Sequence, residues 1–402
     1  MTKGAPLGHL FLYAVPLLLG NWLQLAYNAV DSIIAGRFIG QDALAAEGVA
    51  GPVMNLVILA ISGLCIGAGV LMSEAFGAKR TARLKETLAT TLLFGAVLCC
   101  AAAALGCALT PWILRALAVP DSIFGITGIY LRITFLGAPF TFFYNALAAG
   151  LKSVGDSKTP LYFLILTSAL NIGLDLLFII PFQMGVLGAA LATDISQVIS
   201  GVLSFIYLSR KFDVLKMQKS DFAYSKKACA RLLGIGIPMG LQCSITAIGS
   251  VIMQWAVNVL GSTAVAAVTA AGKTQGLLTV PMESVGTAMA TYAGQNLGAS
   301  RMDRVRQGVN SAMLIILIYG VASAFVLHFT DVQIMSLFLD TAKEVDIVAM
   351  GREYLFWNSV FFVPLGALII WRYTIQGLGF SSLAMLAGVA EMVARTAVAI
   401  VL

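Results

Sequence analysis

Long apolar stretches alternate with short polar loops along the whole chain. A helix that crosses a membrane needs about 20 mostly apolar residues. Eleven stretches reach that length, at about 10–35, 52–75, 87–109, 123–149, 161–181, 185–208, 232–257, 273–296, 309–329, 352–375 and 383–402. The pattern therefore predicts an all-α polytopic membrane protein with eleven spans.

Composition and charge support this class and predict an orientation. Hydrophobic residues make up 59% of the 402 residues and charged residues 11%, whereas soluble domains have about 45–50% and about 25%. Most of the 25 Lys and Arg residues lie at the N-terminus or in loops after even-numbered spans, and loops after odd-numbered spans hold Arg37, Arg115, Lys343 and Arg352. Basic loops stay in the cytoplasm. We therefore predict a cytoplasmic N-terminus and no nucleic-acid partner, despite the net charge of +6.

An internal repeat divides the chain into two halves. Residues 40–80 align with 261–301 at an offset of 221, and residues 151–157 align with 375–381 at an offset of 224. Each repeated element returns six spans later. Because six is even, the halves have the same orientation in the membrane and form a parallel repeat.

The repeat predicts two six-helix lobes. We expect an N-terminal lobe at 1–208, a basic cytoplasmic linker at 209–231 and a C-terminal lobe at 232–402. By the repeat offset, span six should recur at about 407–434, beyond Leu402. We therefore expect a twelve-span architecture whose last span is absent from this chain. A protein with only eleven spans is the alternative.

Polar residues inside the first-half spans are candidates for a cavity. They are Gln24, Tyr27, Asn28 and Asp31 in span one, Asn145 in span four, Asn171 and Asp175 in span five, and Thr193 in span six. The four residues of span one lie at i, i+3, i+4 and i+7, on one helical stripe. Ionisable groups inside a membrane are costly and mark functional sites. The alternative is that these side chains only bond one helix to another.

Two carboxylates in a low-dielectric site can share one proton and titrate as a pair. A cationic ligand that enters the site favours the ionised form and helps to expel that proton, which is the chemistry of exchange. Na⁺ bound at Asp31 and Asp175 is the alternative, because carboxylate and amide oxygens suit hard cations.

The second half lacks these acids, since Ile252 and Ala399 occupy the repeat positions of Asp31 and Asp175. Glu391 and Arg395 are four residues apart with the acid first, which predicts a structural ion pair. Arg372 is expected to reach a membrane interface by snorkelling.

Signatures of soluble enzymes are missing from the sequence. There is no GxxxxGK[ST] phosphate loop. The sequence contains only two histidines, which makes a His-based metal centre an unfavoured interpretation. The six cysteines show no CxxC spacing and are read as structural. We expect no enzymatic activity, no resident metal and no cofactor.

Several motifs resemble those of the MATE (multidrug and toxic compound extrusion) transporters. They are the pattern Pro16, Asn21, Asn28 and Asp31, then GRFIGQDALAA (36–46), GAGVLMSEAFGAKR (67–80), GLKSVGDSKTP (150–160), LNIGLD (170–175) and GTAMATYAGQNLGA (286–299). The resemblance runs from about Pro6 to Leu402, and the motifs follow in order at the expected spans.

The resemblance implies a two-lobed, V-shaped bundle that alternates access by rocking one lobe against the other. It implies cation coupling at Asp31 and Asp175, with Tyr27, Asn171, Thr193 and Asn145 around them. Some members of the family bind Na⁺ through acids of the second lobe, including a glutamate in span seven. The corresponding stretch here, 242–250, contains no acid, which favours proton coupling in the first lobe.

We therefore expect a monomeric antiporter in the bacterial plasma membrane that exports organic, cationic drugs or toxic compounds in exchange for H⁺. One alternative is a flippase of lipid-linked precursors from the same superfamily, which would need several cations in its cavity. The other is a membrane scaffold or channel that does not transport.

Overall fold

The computed structural model describes residues 1–222, 225–336 and 344–401. Lys343 and Leu402, which enter the predictions above, lie outside this part. Within it the chain forms eleven long helices. They are α1 (Pro6–Ile34), α2 (Gln41–Gly77), α3 (Thr81–Ala116), α4 (Asp121–Ser153), α5 (Lys158–Ile179), α6 (Gly185–Lys211), α7 (Lys226–Val259), α8 (Ser262–Gly298), α9 (Met302–Ser336), α10 (Val345–Gly377) and α11 (Ser381–Val401).

Each predicted span coincides with one of these helices, and the all-α membrane class is confirmed. Ten of the helices in the described part are long and apolar enough to cross a membrane. The eighth, α8, has 37 residues but is not among the ten. Its sequence is rich in Ala, Gly, Thr and Gln, and polar side chains such as Gln295 and Asn296 are buried in its last turns. A helix enclosed by its neighbours does not need the hydropathy of one that faces lipid.

The helices group into two compact units. The N-terminal unit comprises Leu19–Gly240, and the C-terminal unit comprises Met1–Leu18 together with Leu241–Leu402. Helices α1 and α7 therefore each contribute to both units. Residues 1–18 and 209–240 are grouped differently from the predicted lobes, whose bounds stay a prediction.

In the N-terminal unit, α4 is the central helix and packs against α2, α3 and α6, while α5 packs on α6. Glycines allow close approach at two crossings. A Cβ atom on Gly95 of α3 would lie 1.9 Å from the ring of Phe142 on α4. A Cβ atom on Gly63 of α2 would lie 2.3 Å from the Cα atom of Gly240 on α7. Small residues at such crossings let membrane helices pack by direct van der Waals contact.

In the C-terminal unit, α10 packs against α8 and α9, and the first turns of α1 complete the core. Leu10 and Tyr13 of α1 are buried in one cluster with Met282, Met289 and Tyr292 of α8. The Tyr13 hydroxyl lies 3.4 Å from Thr291 Oγ1.

The connection from α1 to α2 sets the position of the first polar stripe. Helix α1 continues into a π-helical turn, Ala35–Ile39, and ends at Gly40. Gly40 has a φ of 114°, a conformation that glycine adopts without steric cost. The chain can therefore reverse at once, and the start of α2 returns alongside the end of α1.

Candidate functional site

Asp31 of α1 and Asp175 of α5 meet inside the N-terminal unit. Their carboxyl groups lie close enough together to interact electrostatically, and the side chain of Asp175 is fully enclosed. Two ionised carboxylates at close range repel each other, and one proton held at the pair relieves that repulsion. The Oδ1 atom of Asp175 has no hydrogen-bond partner in the described part of the chain. It is an acceptor available to a cation or a proton.

Asn171 and Thr193 position Asp175 from two helices. The Asn171 amide, oriented so that both of its ends are satisfied, donates from Nδ2 to Asp175 Oδ2 at 2.9 Å. In the same orientation its Oδ1 accepts from the Thr193 hydroxyl at 3.1 Å. Asn171 lies one turn before Asp175 on α5, and Thr193 lies near the start of α6. Two helices thus fix one carboxylate oxygen of Asp175 and leave the other without a bond.

The polar stripe of α1 divides between two environments. Tyr27 is partly buried and lies close to Thr193 and Asp31, so it joins the cluster. Gln24 and Asn28 are exposed and bond to each other, with Gln24 Nε2 donating to Asn28 Oδ1 at 3.2 Å. The structure therefore brings only half of the predicted stripe to the carboxyl pair.

Asn145 of α4 has a different partner from the one that the sequence suggested. Its Nδ2 donates to the carbonyl oxygen of Thr141 in the same helix, at 2.8 Å. Among the hydrogen bonds of the described residues, none joins Asn145 to Asp31 or Asp175. Polar side chains in helix interiors often bond back to the preceding turn in this way.

Glu47 of α2 is a member of the cluster that the sequence reasoning missed. It accepts a hydrogen bond from Ser32 Oγ at 2.9 Å through Oε1, and it lies close enough to interact electrostatically with Asp31 and Asp175. The predicted second span began at about residue 52, whereas α2 begins at Gln41. Recognising Glu47 as a charge inside an apolar helix would have required that earlier start.

The cluster is acidic and has no basic counterpart. In the described part of the chain, no Lys or Arg forms an ion pair with Asp31, Asp175 or Glu47. In that part, no group of three His, Cys, Asp or Glu side chains has the geometry of a metal centre. Uncompensated carboxylates in a low-dielectric interior are stabilised by protons or by a cationic ligand.

The C-terminal unit carries a balanced set of charges instead. Glu391 of α11 accepts from Arg395 Nη2 at 2.5 Å and from Arg372 Nη1 at 3.4 Å. The side chain of Arg372 on α10 is only 16% exposed, and Glu283 of α8 interacts with it electrostatically. Arg372 is therefore mostly enclosed and paired with acids of the same unit, which differs from the expected snorkelling. The predicted pair of Glu391 and Arg395 is in contact, as part of a larger group.

Two further polar pairs join helices within the C-terminal unit. Gln376 Nε2 donates to Gln242 Oε1 at 2.5 Å, and the Tyr354 hydroxyl donates to Gln275 Oε1 at 2.7 Å. These bonds link α7 to α10 and α8 to α10. Such contacts are typical of polar residues that join helices in membranes.

Comparison with known proteins gives consistent results. The MatE family model matches residues 16–177 and again residues 238–401, and this double match confirms the internal repeat. Probable multidrug resistance protein YoeA of Bacillus subtilis (strain 168) is 31% identical over 358 residues, which cover 87% of this chain and 77% of that protein. Probable multidrug resistance protein YpnP of the same organism is 29% identical over 94% of this chain and 84% of that protein.

A solved structure has the same fold. It is the outward-facing conformation of a multidrug resistance MATE family transporter of the MOP superfamily, with a TM-score of 0.88 over 96% of this chain and 86% of that chain, at 23% identity. The repeated motifs, the helical architecture and the family match over both halves lead to one conclusion. The chain belongs to the MatE (multidrug and toxic compound extrusion) family of membrane transporters.

Proposed function

We propose that this protein is a secondary antiporter that exports organic, cationic drugs or toxic compounds in exchange for inward H⁺. The observation that carries it is the proximity of the Asp31 and Asp175 carboxyl groups inside an acidic cluster that forms no ion pair with Lys or Arg among the described residues. A site of this kind holds either a proton or another cation, and holding both at once is unfavourable by mutual repulsion. Competition for one site is the minimal requirement of an exchanger.

The coupling residues have distinct roles in this mechanism. Asp31 and Asp175 exchange the proton, and Asn171 keeps one oxygen of Asp175 occupied so that the other stays available. Thr193 orients Asn171, and Tyr27 borders the cluster on the α1 side. Gln24 and Asn28, which are exposed on the same helix, serve the substrate on its way to the cluster, and Asn145 lines the cavity at α4.

The transport cycle alternates access by rocking one lobe, at 1–208, against the other, at 232–402, with the basic linker 209–231 on the cytoplasmic side. The N-terminus is cytoplasmic, in accord with the distribution of Lys and Arg. The protein acts as a monomer in the bacterial plasma membrane. The names of the two Bacillus relatives, both multidrug resistance proteins, support export of drugs or toxic compounds.

Na⁺ is the competing coupling ion. Its ligands would be the free oxygen of Asp175, a carboxylate oxygen of Asp31 and the hydroxyl of Thr193, which are donors that hard cations prefer. One proton relieves the repulsion between the two neighbouring carboxylates, which favours H⁺.

The test uses the full chain reconstituted in liposomes with a fluorescent organic cation. Movement of the cation is compared under an imposed pH gradient, under an imposed Na⁺ gradient and without either, for the wild type and for Asp31→Asn. We expect movement driven by the pH gradient alone, and its loss in the variant. Movement driven by the Na⁺ gradient would identify Na⁺ as the coupling ion at the same site. Gradient-driven movement that survives in Asp31→Asn would refute the site.

A further inference from the structure

A basic cleft of about 250 Å³ lies at one polar end of the N-terminal unit, away from the carboxyl cluster. It is bordered by the end of α2, the start of α3 and the start of α7. Its charged lining consists of Arg80, Arg83, Lys227 and Arg231, opposed by Glu74 and Glu86. We infer that this cleft binds a phosphate-bearing anion.

The cations of the cleft lack protein partners. Among the described residues, none of these four side chains forms an ion pair or a hydrogen bond, although Glu74 and Glu86 line the same cleft. Like charges that converge on a concave surface repel one another, and the low-dielectric wall focuses their field into the cleft. An anion that enters is attracted by all four and relieves that repulsion.

The internal repeat supplies a comparison within the same chain. At the offset of 221, Arg80 corresponds to Arg301 and Arg83 to Arg304. Arg301 forms a two-point ion pair with Asp303, at 2.8 and 2.9 Å. Arg304 is buried and bonds to Asn296 Oδ1 at 3.2 Å and to the Gly4 carbonyl oxygen at 2.9 Å.

The second-half arginines are thus neutralised or enclosed by the protein itself. Their first-half counterparts stand around an open cleft with their guanidinium groups unoccupied. Helix capping or solubility does not account for that difference, because both pairs lie at the same place in the repeat. A ligand from outside the chain does account for it.

The chemistry of the ligand follows from that of the lining. Arginine guanidinium groups match phosphate oxygens with two parallel hydrogen bonds. Leu71 and Ala75 add an apolar wall on the α2 side, which suits a hydrocarbon portion of the ligand. The phosphate comes either from an anionic phospholipid, since basic pockets at the ends of membrane helices bind such head groups, or from a soluble phosphate ester.

Binding is measured on the purified full chain in detergent by native mass spectrometry. Phosphatidylglycerol is the lipid probe, phosphatidylcholine is the zwitterionic control lipid, and glycerol 3-phosphate is the soluble probe. Arg80→Gln/Arg83→Gln is the test variant. Arg301→Gln/Arg306→Gln removes the same charge at exposed second-half positions and is the matched control.

We expect the test variant to weaken phosphatidylglycerol binding about 30-fold, as for two lost cations near a membrane surface. The control should bind within about threefold of the wild type, and Arg80→Lys/Arg83→Lys should retain most of the binding. If glycerol 3-phosphate binds with the same dependence on these arginines and phosphatidylglycerol does not, the ligand is a soluble phosphate ester.

Three results would overturn the assignment. One is equal binding of both phosphate probes by the wild type and the test variant. Another is an equal loss in the control, which would indicate a general effect of net charge. The third is binding of phosphatidylcholine as tight as that of phosphatidylglycerol. Unfolding temperatures of all variants are measured alongside. The two cleft variants should match the wild type because the replaced side chains make no bonds within the cleft, and the control loses only the exposed pair of Arg301 and Asp303, which contributes about 0–1 kcal/mol.

Discussion

Replacing Asp175 by asparagine should abolish coupled transport and leave the stability of the fold nearly unchanged. Asn171 Nδ2 bonds to Asp175 Oδ2 at 2.9 Å, and the oxygen of an introduced asparagine can accept that bond unchanged. Its amide nitrogen takes the place of the other carboxylate oxygen, which has no hydrogen-bond partner in the described part of the chain. The variant therefore keeps the shape of the side chain and its bond to Asn171 while it loses the ability to ionise.

The expected effect on stability is small. At most one hydrogen bond changes in quality, which corresponds to about 1 kcal/mol and to a shift in Tm of no more than about 3 °C for a chain of this size. Asp175→Ala differs, because it leaves the Asn171 amide without an acceptor in a fully buried position. An unsatisfied buried donor costs about 1–3 kcal/mol, so this variant should unfold clearly earlier than Asp175→Asn.

The expected effect on coupling is large. One pH unit corresponds to about 1.4 kcal/mol per proton, so one-for-one exchange sustains a gradient of a monovalent cation of about tenfold. With the wild-type protein, liposomes whose interior is one pH unit more acidic than the buffer should accumulate a fluorescent organic cation about tenfold. With Asp175→Asn the ratio should stay near one.

The control is Asp331→Asn, which makes the same chemical change at a partly exposed ion pair with Arg352 in the C-terminal unit. Such pairs contribute about 0–1 kcal/mol, and accumulation should stay at the wild-type ratio. Undiminished accumulation by Asp175→Asn would refute the assignment of coupling to this cluster. A fall in Tm of 10 °C or more would refute the equivalence of the two side chains.

Two further predictions concern α2. Glu47→Gln keeps the acceptor for Ser32 but removes one negative charge from the cluster. In concentration-dependent uptake, half-maximal transport of a divalent organic cation should require at least several-fold more substrate than in the wild type, and a monovalent cation should change less. Equal changes for the two cations would contradict the role of the Glu47 charge. Gly63→Ala places a Cβ atom 2.3 Å from the backbone of Gly240, which should lower the free energy of unfolding by about 1–3 kcal/mol and lower the Tm. In the control Gly51→Ala, on the same helix, the added Cβ atom meets nothing within 4 Å, and the Tm should stay unchanged or rise.

The helices were predictable because the membrane imposes one requirement on every span. Apolar length alone located all eleven helices, including α8, whose polar residues are buried by neighbouring helices. Helix starts were less predictable, since polar residues continue a helix beyond its apolar part. The start of α2 shows the consequence, because residues 41–51 looked like a loop and Glu47 was therefore missed.

The site was predictable as far as local spacing determines it. Asn171 and Asp175 are one turn apart on one helix, so their proximity follows from helical geometry. Whether Gln24 and Asn28 face the same neighbours as Tyr27 and Asp31 depends on how α1 is rotated, and the sequence of α1 does not determine that rotation. The partner of Asn145 is its own backbone, which competes with any more distant group. The triad around Glu391 likewise depends on α10 and α11 meeting, which no local pattern indicates.

The repeat shows which parts of the chain serve architecture and which serve chemistry. Both halves keep a glycine with positive φ at matching turns, Gly40 with Gly261 and Gly155 with Gly379. Their ionisable groups differ. Within the described part of the chain, Asp31, Asp175 and Glu47 form no ion pair with Lys or Arg. Glu283 and Glu391 of the C-terminal unit lie beside Arg372 and Arg395. A balanced group gains little from a proton or a cation, because its charges already compensate one another. An uncompensated acidic group gains much from either one, and a coupling ion and a cationic substrate would therefore compete at Asp31 and Asp175.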